Sequence, residues 1–232
     1  MKLTLFDLDH TLLPLDSDHA WGVFTTAMGW NDAHWFNQRN RAYYAHYRAG
    51  TLDIHDYVRF ATDAIRRQGA ELSLAAHKRF MAEVIHPAIL PQAIDLVQQH
   101  RQAGDHVLIV TATNEFITRP IAAALGVTGA DLIAVNLERC PISGWLTGEI
   151  AGTPSFRAGK VARVKDWLAA HQLSWDNVLF IATRSTTCRC LSASPTPSPP
   201  TPMPCCAPWP LSVVGASLTC LTRNRHIDVG TQ

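Results

Sequence analysis

Four short apolar segments, separated by stretches of helix length, constrain the fold of this chain more than any other feature of its sequence. They are rich in β-branched residues without strict alternation, and they span residues 3–6, 106–110, 131–137 and 177–181. Such segments are typical of strands that are buried on both faces of a parallel sheet. Helical periodicity occupies residues 91–102, 115–125 and 156–170. This alternation predicts a doubly wound, Rossmann-like α/β fold.

The interval between the first two strands is much longer and shows helical periodicity only. Its apolar faces are supplied by aromatic side chains, namely Trp21, Phe24, Trp35, Tyr43, Tyr44, Tyr57, Phe60 and Phe80. We therefore predict an all-helical cap at residues 16–87, inserted into an α/β core that comprises residues 1–15 and 88–181.

Two carboxylates, Asp7 and Asp9, directly follow the first predicted strand. Alternation along the strand sends Leu8 to one side and brings both carboxylates to the other. At the carboxyl edge of a parallel sheet, where such folds bind ligands, two neighbouring anions are costly unless a cation lies between them. Oxygen ligands of this kind favour Mg²⁺, so Asp7 and Asp9 are the predicted metal ligands. The alternative is a solvated turn that happens to contain two aspartates.

Polar residues stand at two further predicted helix starts. Thr111, Thr113 and Asn114 end the second strand, where hydroxyl groups and a helix N-terminus are suited to bind an anion. The alternative is an ordinary N-cap. Lys160 opens a later helix, an unfavourable place for a cation unless a nearby anion pairs with it. The alternative for Lys160 is an exposed position on the surface.

The pattern Asp7-x-Asp9-x-Thr11, followed by Thr111 and Lys160, resembles the first three motifs of the haloacid dehalogenase superfamily of phosphatases. The helical cap resembles the subfamily that contains phosphoserine phosphatases and bacterial histidinol-phosphate phosphatases. The resemblance implies that Asp7 is the nucleophile, Asp9 the general acid and base, Thr111 a donor to phosphate, and Lys160 the balancing charge. It also implies a Mg²⁺ cofactor and a small phosphorylated metabolite as substrate. Asp9 argues against the dehalogenase branch, which needs no metal and usually lacks this second carboxylate.

Two further aspartates, Asp16 and Asp18, lie at the start of the predicted cap. Both could pair with an ammonium group of the substrate, which would suit phosphoserine or histidinol phosphate. The alternative is that they form an N-terminal cap, with Ser17, for the first helix of the cap.

The composition changes sharply after Ile181. The last 51 residues hold five of the six cysteines, eight of the 14 prolines, and one of the 19 acidic residues. None of these cysteines has a histidine at the spacing of a zinc finger. Residues 182–232 are therefore an atypical, Pro- and Cys-rich tail.

The fourth motif of the superfamily, an acidic D-S-x-x-D sequence, follows a strand like 177–181, and residues 182–188 contain no carboxylate. Read one base earlier, the codons of residues 181–190 permit Y-S-D-S-I-N-D-L-P-L, which contains the missing motif. The sequence thus predicts that the tail results from a frameshift near Phe180. The alternative is a catalytically impaired relative that at most binds phosphate ligands.

The charge of the chain excludes some partners. A formal net charge of +1 provides no strong field for nucleic acid or for an anionic membrane, and no apolar run approaches the length of a spanning helix. The N-terminal residues lack the apolar core of a signal peptide, and Cys140 alone among the first 181 residues fits a reducing compartment. We therefore expect a cytoplasmic protein without nucleic-acid or membrane partners.

Overall fold

A four-stranded parallel sheet forms the centre of the computed structural model, which describes residues 2–175 and 178–182. Its strands are β1 (Leu3–Phe6), β2 (His106–Asn114), β3 (Leu132–Val135) and β6 (Val178–Ile181). Their spatial order is β3-β2-β1-β6, so the first strand lies inside the sheet. In the register, Phe6 is the partner of both Ile109 and Ile181. The predicted parallel α/β architecture is confirmed.

Helices cover both faces of this sheet. Helices α5 (Pro91–Gln102) and α6 (Glu115–Ala124) contribute to the apolar cluster on one face, and α7 (Ala158–Ala170) contributes to the cluster on the other. In β1, Phe6 belongs to the first cluster and Leu5 to the second, and both side chains are fully buried. This double burial explains why the strands are apolar at successive positions.

The chain between β1 and α5 is helical in the structure. It forms α1 (Ser17–Ala27), α2 (Ala33–Ala49) and α3 (Ile54–Phe80), then a π-helical turn (Met81–Ile85) and the short α4 (His86–Ala88). An aspartate side chain caps the first turn of each long helix, at Asp16, Asp32 and Asp53. These caps satisfy amide groups that have no partner inside the helix.

The inserted helices share their apolar core with the sheet. Trp21 of α1 and Phe80 of α3 belong to the same buried cluster as Phe6 of β1. Helix α3 is kinked at Gly69, whose φ of 77° lies in the left-handed region that favours glycine. The division into a core of residues 1–15 and 88–181 and a cap of residues 16–87 stays a prediction.

One element was not expected from the sequence. The strand predicted over residues 131–137 ends at Val135, and an antiparallel hairpin of β4 (Leu137–Arg139) and β5 (Leu146–Ile150) follows it. The hairpin contacts the cap helix α3: Arg59 forms a two-pronged ion pair with Glu149, with distances of 2.8 and 2.9 Å. This contact anchors α3 to the sequence that precedes α7.

Among the described residues, no single helix is long and apolar enough to cross a membrane; one pair, Ile54–Ala88 with Pro91–Gln102, meets the criteria of length and composition together but bends by 84°. The predicted Pro- and Cys-rich tail lies outside the described residues except for Ala182, which is buried beyond the end of β6.

Candidate active site

The carboxyl end of β1 leads directly into the two aspartates. The Asp7 amide donates a hydrogen bond of 3.1 Å to the carbonyl oxygen of Ile181, which holds this position against β6. Leu8 is completely buried, whereas Asp9 keeps part of its surface exposed. The chain then turns at His10, which has a left-handed φ of 57°. Both carboxylates therefore stand at the carboxyl edge of the sheet.

A buried ion pair joins this edge to helix α7. The Nζ atom of Lys160 lies 3.1 Å from Oδ1 of Asp7 and donates a second, longer hydrogen bond to the carbonyl oxygen of Val110. Only 5% of Lys160 is exposed, so it is not the surface lysine of the alternative interpretation. A lysine buried to this extent requires an anionic partner, and Asp7 supplies it.

The Asp9 carboxylate is held by a set of hydroxyl and amide donors. Its Oδ1 accepts hydrogen bonds from the amide and the hydroxyl group of Ser17, at 2.8 and 2.6 Å. Its Oδ2 accepts from the hydroxyl groups of Thr113 and Thr111, at 2.8 and 3.4 Å. The end of β2 and the start of α1 thus meet on one carboxylate, and these four contacts fix the orientation of the Asp9 side chain.

The surroundings of Asp9 favour its neutral form. Burial among protein atoms, and to a smaller extent the charge of Asp16, raise the pKa of Asp9 from 3.8 to about 6, although the donors from Ser17 and Thr113 act to lower it. A carboxyl group that titrates near neutrality is suited to give and to take up a proton at physiological pH.

Asp18 is the buried member of the second predicted pair. Its Oδ1 accepts a hydrogen bond of 3.2 Å from the side-chain amide of Asn114, and the Tyr57 hydroxyl also donates to it. Burial, and then the charges of Asp16 and Asp9, raise the pKa of Asp18 to about 8. Asp16 is exposed and caps α1 by accepting from the amide of His19.

A small cavity lies beside Asp18 between the three cap helices. Its volume is about 20 Å³, and its walls include the aromatic rings of Trp35, Phe36, Tyr57 and Phe60. That volume accommodates about one water-sized group.

The residues at this edge partly fit a divalent cation. Lys160 pairs with Asp7, and after burial the charge of Asp16 adds a surplus of negative charge that raises the pKa of Asp9 and Asp18 further. A divalent cation would offset this surplus. Within residues 2–175 and 178–182 no group of three or more candidate ligands occurs. Asp7 and Asp9 would therefore share Mg²⁺ with water or substrate oxygens, as Mg²⁺ sites commonly do.

A comparison with protein families identifies the family to which this fold and the polar residues at the edge of its sheet belong. The model of the haloacid dehalogenase-like hydrolases matches residues 4–183. This chain belongs to that family. The match covers both aspartates, the polar end of β2 and Lys160, so the resemblance stated from the sequence is confirmed.

Individual relatives and solved structures are similar to this chain over about three quarters of its length. A histidinol-phosphatase of Neisseria meningitidis serogroup C (strain 8013) is 40% identical over 168 residues, which are 72% of this chain and 74% of the relative. A crystal structure of a Bordetella pertussis Tohama I protein of unknown function is 42% identical, with a TM-score of 0.67 over 77% of this chain and 79% of the other. A phosphoserine phosphatase, solved as a phospho-aspartyl intermediate analogue, shares the fold at 18% identity, with a TM-score of 0.54 over 77% and 76%. The chain is thus a haloacid dehalogenase-like hydrolase that shares the fold of phosphoserine phosphatase.

The structure adds two residues to the candidate site of this hydrolase. Ser17 was considered only as part of a helix cap, yet it donates twice to Asp9. Tyr57 was considered only as an apolar side chain of the cap, yet its hydroxyl contacts Asp18. Sequence spacing gives no signal for Tyr57, because its contact depends on how α3 packs on α1. The functional roles of the eight residues singled out from the sequence stay predictions.

Proposed function

We propose that this chain is a Mg²⁺-dependent hydrolase of small phosphate monoesters that acts through an aspartyl phosphate on Asp7. The observation that carries the proposal is the buried ion pair between Lys160 and Asp7, beside a second carboxyl group, Asp9, whose pKa is about 6. The relatives support it: one is a histidinol-phosphatase, and another was solved as a phospho-aspartyl analogue of phosphoserine phosphatase.

The proposed reaction has two steps. An oxygen of Asp7 attacks phosphorus, the bond from phosphorus to the ester oxygen breaks, and Asp9 donates its proton to the departing alcohol. Water then attacks the aspartyl phosphate, Asp9 takes up the proton of that water, and Asp7 is regenerated as inorganic phosphate leaves. The Lys160 ammonium lowers the repulsion between the Asp7 carboxylate and the phosphate dianion.

The cofactor of this proposal is Mg²⁺, held by Asp7 and Asp9. When bound, it would supply positive charge that offsets the negative charge of the phosphate group. Thr111, Thr113 and Asn114 provide the hydroxyl and amide groups of the same edge, and we assign them to phosphate and substrate contacts.

We further propose that the substrate carries an amine, as phosphoserine and histidinol phosphate do. Asp18 is buried and has a raised pKa, and the cavity beside it has space for one water-sized group. An ammonium group has that size, and its charge would stabilise the ionised form of Asp18. Aromatic rings in the cavity wall would add attraction for a cation.

The experiment measures release of inorganic phosphate from an aryl phosphate, with Mg²⁺ and then with EDTA. Asp7→Asn should abolish turnover, because an amide cannot form the acyl phosphate. Asp32→Asn is the matched control, since asparagine caps a helix as well as aspartate does and Asp32 caps α2 at the surface. Turnover that persists in Asp7→Asn would contradict the assigned nucleophile. Phosphoserine and histidinol phosphate should then exceed glycerol phosphate in kcat/KM.

A second candidate function has one observation in its favour. No carboxylate occurs in residues 182–188, where the family carries its fourth acidic motif. A chain with this sequence could bind phosphate compounds without hydrolysing them. Binding of inorganic phosphate without any Mg²⁺-dependent turnover would select this candidate.

We also propose that the protein works in the cytoplasm. The unpaired thiol of Cys140, the one cysteine of the described part of the chain, is compatible with a reducing compartment.

A further inference from the structure

The loop that precedes helix α7 holds Arg157 in an unusual backbone conformation. Its φ of 49° lies in the left-handed region, which is costly for a residue other than glycine. Local hydrogen bonds fix the conformation: the amide of Phe156 donates to Pro154, and the amide of Lys160 donates to the carbonyl oxygen of Arg157 itself. The strained residue is thus bonded directly to the backbone of the lysine that pairs with Asp7.

The Arg157 side chain points from this loop toward the cap. Its guanidinium group lies over the ring of Phe156, 4.8 Å from the ring centre, and that ring contacts Tyr47 near the end of α2. A β-carbon placed on Gly50, just after α2, would lie 3.6 Å from Nη2 of Arg157. The guanidinium therefore occupies the junction between the end of α2 and the start of α7, one helical turn from Lys160.

The charge of Arg157 is not used by any acidic side chain of the described residues. Other arginines of the structure are paired in this way, Arg59 with Glu149 and Arg79 with Glu83. Among the described residues, Arg157 is exposed, its guanidinium lies over the ring of Phe156, and it approaches Gly50. A guanidinium group that is stacked on a ring, and so limited in its motion, can offer its planar donors to two oxygens of one anion.

We propose that Arg157 is a substrate-binding residue that donates hydrogen bonds to non-bridging oxygens of the phosphate group where the cap meets α7. This inference rests on the proposed function, since it names a second cation for the same phosphate. It also explains why a strained arginine, rather than a glycine, precedes α7. The ring of Phe156, which contacts Tyr47, and the nearby Gly50 place this cation against the end of α2.

The test uses the full chain and inorganic phosphate as the probe, measured by isothermal titration at constant ionic strength. Arg157→Gln and Arg157→Gly should each weaken binding about 10- to 100-fold, the loss of a charge-assisted hydrogen bond pair. Arg157→Lys, which keeps the charge but not the planar donors, should fall between them and the unsubstituted chain. Arg79→Gln removes another stacked arginine at the surface and should leave phosphate affinity unchanged.

Stability measurements separate binding from a structural role. Arg157→Gly relieves the left-handed strain, so its melting temperature should equal or exceed that of the unsubstituted chain while its phosphate affinity falls. With an aryl phosphate, KM should rise by a larger factor than kcat falls. Unchanged phosphate affinity in both Arg157 variants would overturn this inference and leave the proposed function standing. Absence of phosphate binding by the unsubstituted chain would overturn both.

Discussion

The chemistry of single residues at this site is governed by buried carboxylates. Asp9 and Asp18 both have a raised pKa because protein atoms replace water around them, and the exposed Asp16 adds negative charge to both. Their hydrogen-bond donors differ: hydroxyl groups of Ser17 and two threonines hold Asp9, whereas Asn114 and Tyr57 hold Asp18. The two buried carboxyl groups thus differ in their surroundings, which agrees with the different roles that we propose for them.

Sequence patterns predicted some of these residues better than others. Asp7 and Asp9 were found because strand alternation and the carboxyl edge of a parallel sheet are local, general rules. Tyr57 was missed as a polar contact, since a residue 39 positions from Asp18 meets it only through helix packing. The left-handed Arg157 could not be predicted either, because a positive φ at a residue other than glycine is uncommon and has no local signal here.

Burial of Asp18 leads to a prediction about stability and pH. The Asp18 carboxyl group has a pKa of about 8 in the folded protein and 3.8 in the unfolded chain. Between these pH values the folded protein keeps a proton on Asp18 that the unfolded chain releases. The free energy of unfolding should therefore fall as pH rises from about 4 to about 8. Asp18→Asn keeps an acceptor for Asn114 without this cost, and it should raise stability at pH 8 by on the order of 5 kcal/mol.

Urea unfolding of both chains at pH 4, 6 and 8 measures this effect. The advantage of Asp18→Asn should become small near pH 4, close to the unfolded pKa, because the two states then differ little in bound protons. Asp32→Asn, at an exposed helix cap, should follow the pH dependence of the unsubstituted chain. If the free energy of unfolding of Asp18→Asn changed with pH in the same way as that of the unsubstituted chain, Asp18 would not be the buried, uncharged group described here.

The arrangement of helices and strands explains how residues that are distant in sequence lie at one site. Strand β2 pairs with β1 and continues past its end to Asn114, α1 starts eight residues after Asp9, and α7 has Lys160 in its first turn. The helix and strand positions of these elements could be predicted from periodicity. The β4–β5 hairpin could not, because its strands are short and one of them alternates around Gly148, where Arg66 packs closely.

Helix α7 yields a prediction about packing, centred on Gly159. A β-carbon on Gly159 would collide with the carbonyl oxygen of Pro154, a backbone atom that cannot move without displacing the loop. Gly159→Ala should thus destabilise the fold by about 1–3 kcal/mol and shift Lys160 away from Asp7. Thermal unfolding and kcat/KM for an aryl phosphate measure the two effects. Ala158→Ser adds one atom at the exposed neighbouring position and should change neither; equal stability of both variants would contradict the close approach.

At the scale of the whole molecule, the inserted helices and the sheet are not independent. Trp21 of α1 and Phe80 of α3 lie in the same apolar cluster as the sheet, and Arg59 of α3 pairs with Glu149 of β5. Burial of these apolar side chains is the main contribution that holds the inserted helices against the sheet. The contact of Arg157 with the end of α2 therefore occurs between parts of the chain that already pack together.

The family match extends to residue 183, close to the point where composition changes. Strand β6 still pairs in register with β1, and the carbonyl oxygen of Ile181 still accepts from Asp7. Strand β6 thus ends with Ile181 at the same edge as Asp7 and Asp9. Two carboxylates encoded there, in the sequence Y-S-D-S-I-N-D of the alternative frame, would join the charges that a divalent cation must bind.

The last prediction compares this chain with one in which the frame is shifted by one base after Phe180. Each added carboxylate at about 4 Å contributes on the order of 4 kcal/mol to a unit charge at an effective dielectric near 20. The frame-shifted chain should therefore bind Mg²⁺ up to about a thousandfold more tightly and hydrolyse an aryl phosphate faster at limiting Mg²⁺. Asp7→Asn should abolish turnover in both chains. If the activities of the two chains depended on Mg²⁺ concentration in the same way, the hypothesis of a missing metal ligand would be wrong. The acidic pair would then add nothing to the site formed by Asp7 and Asp9.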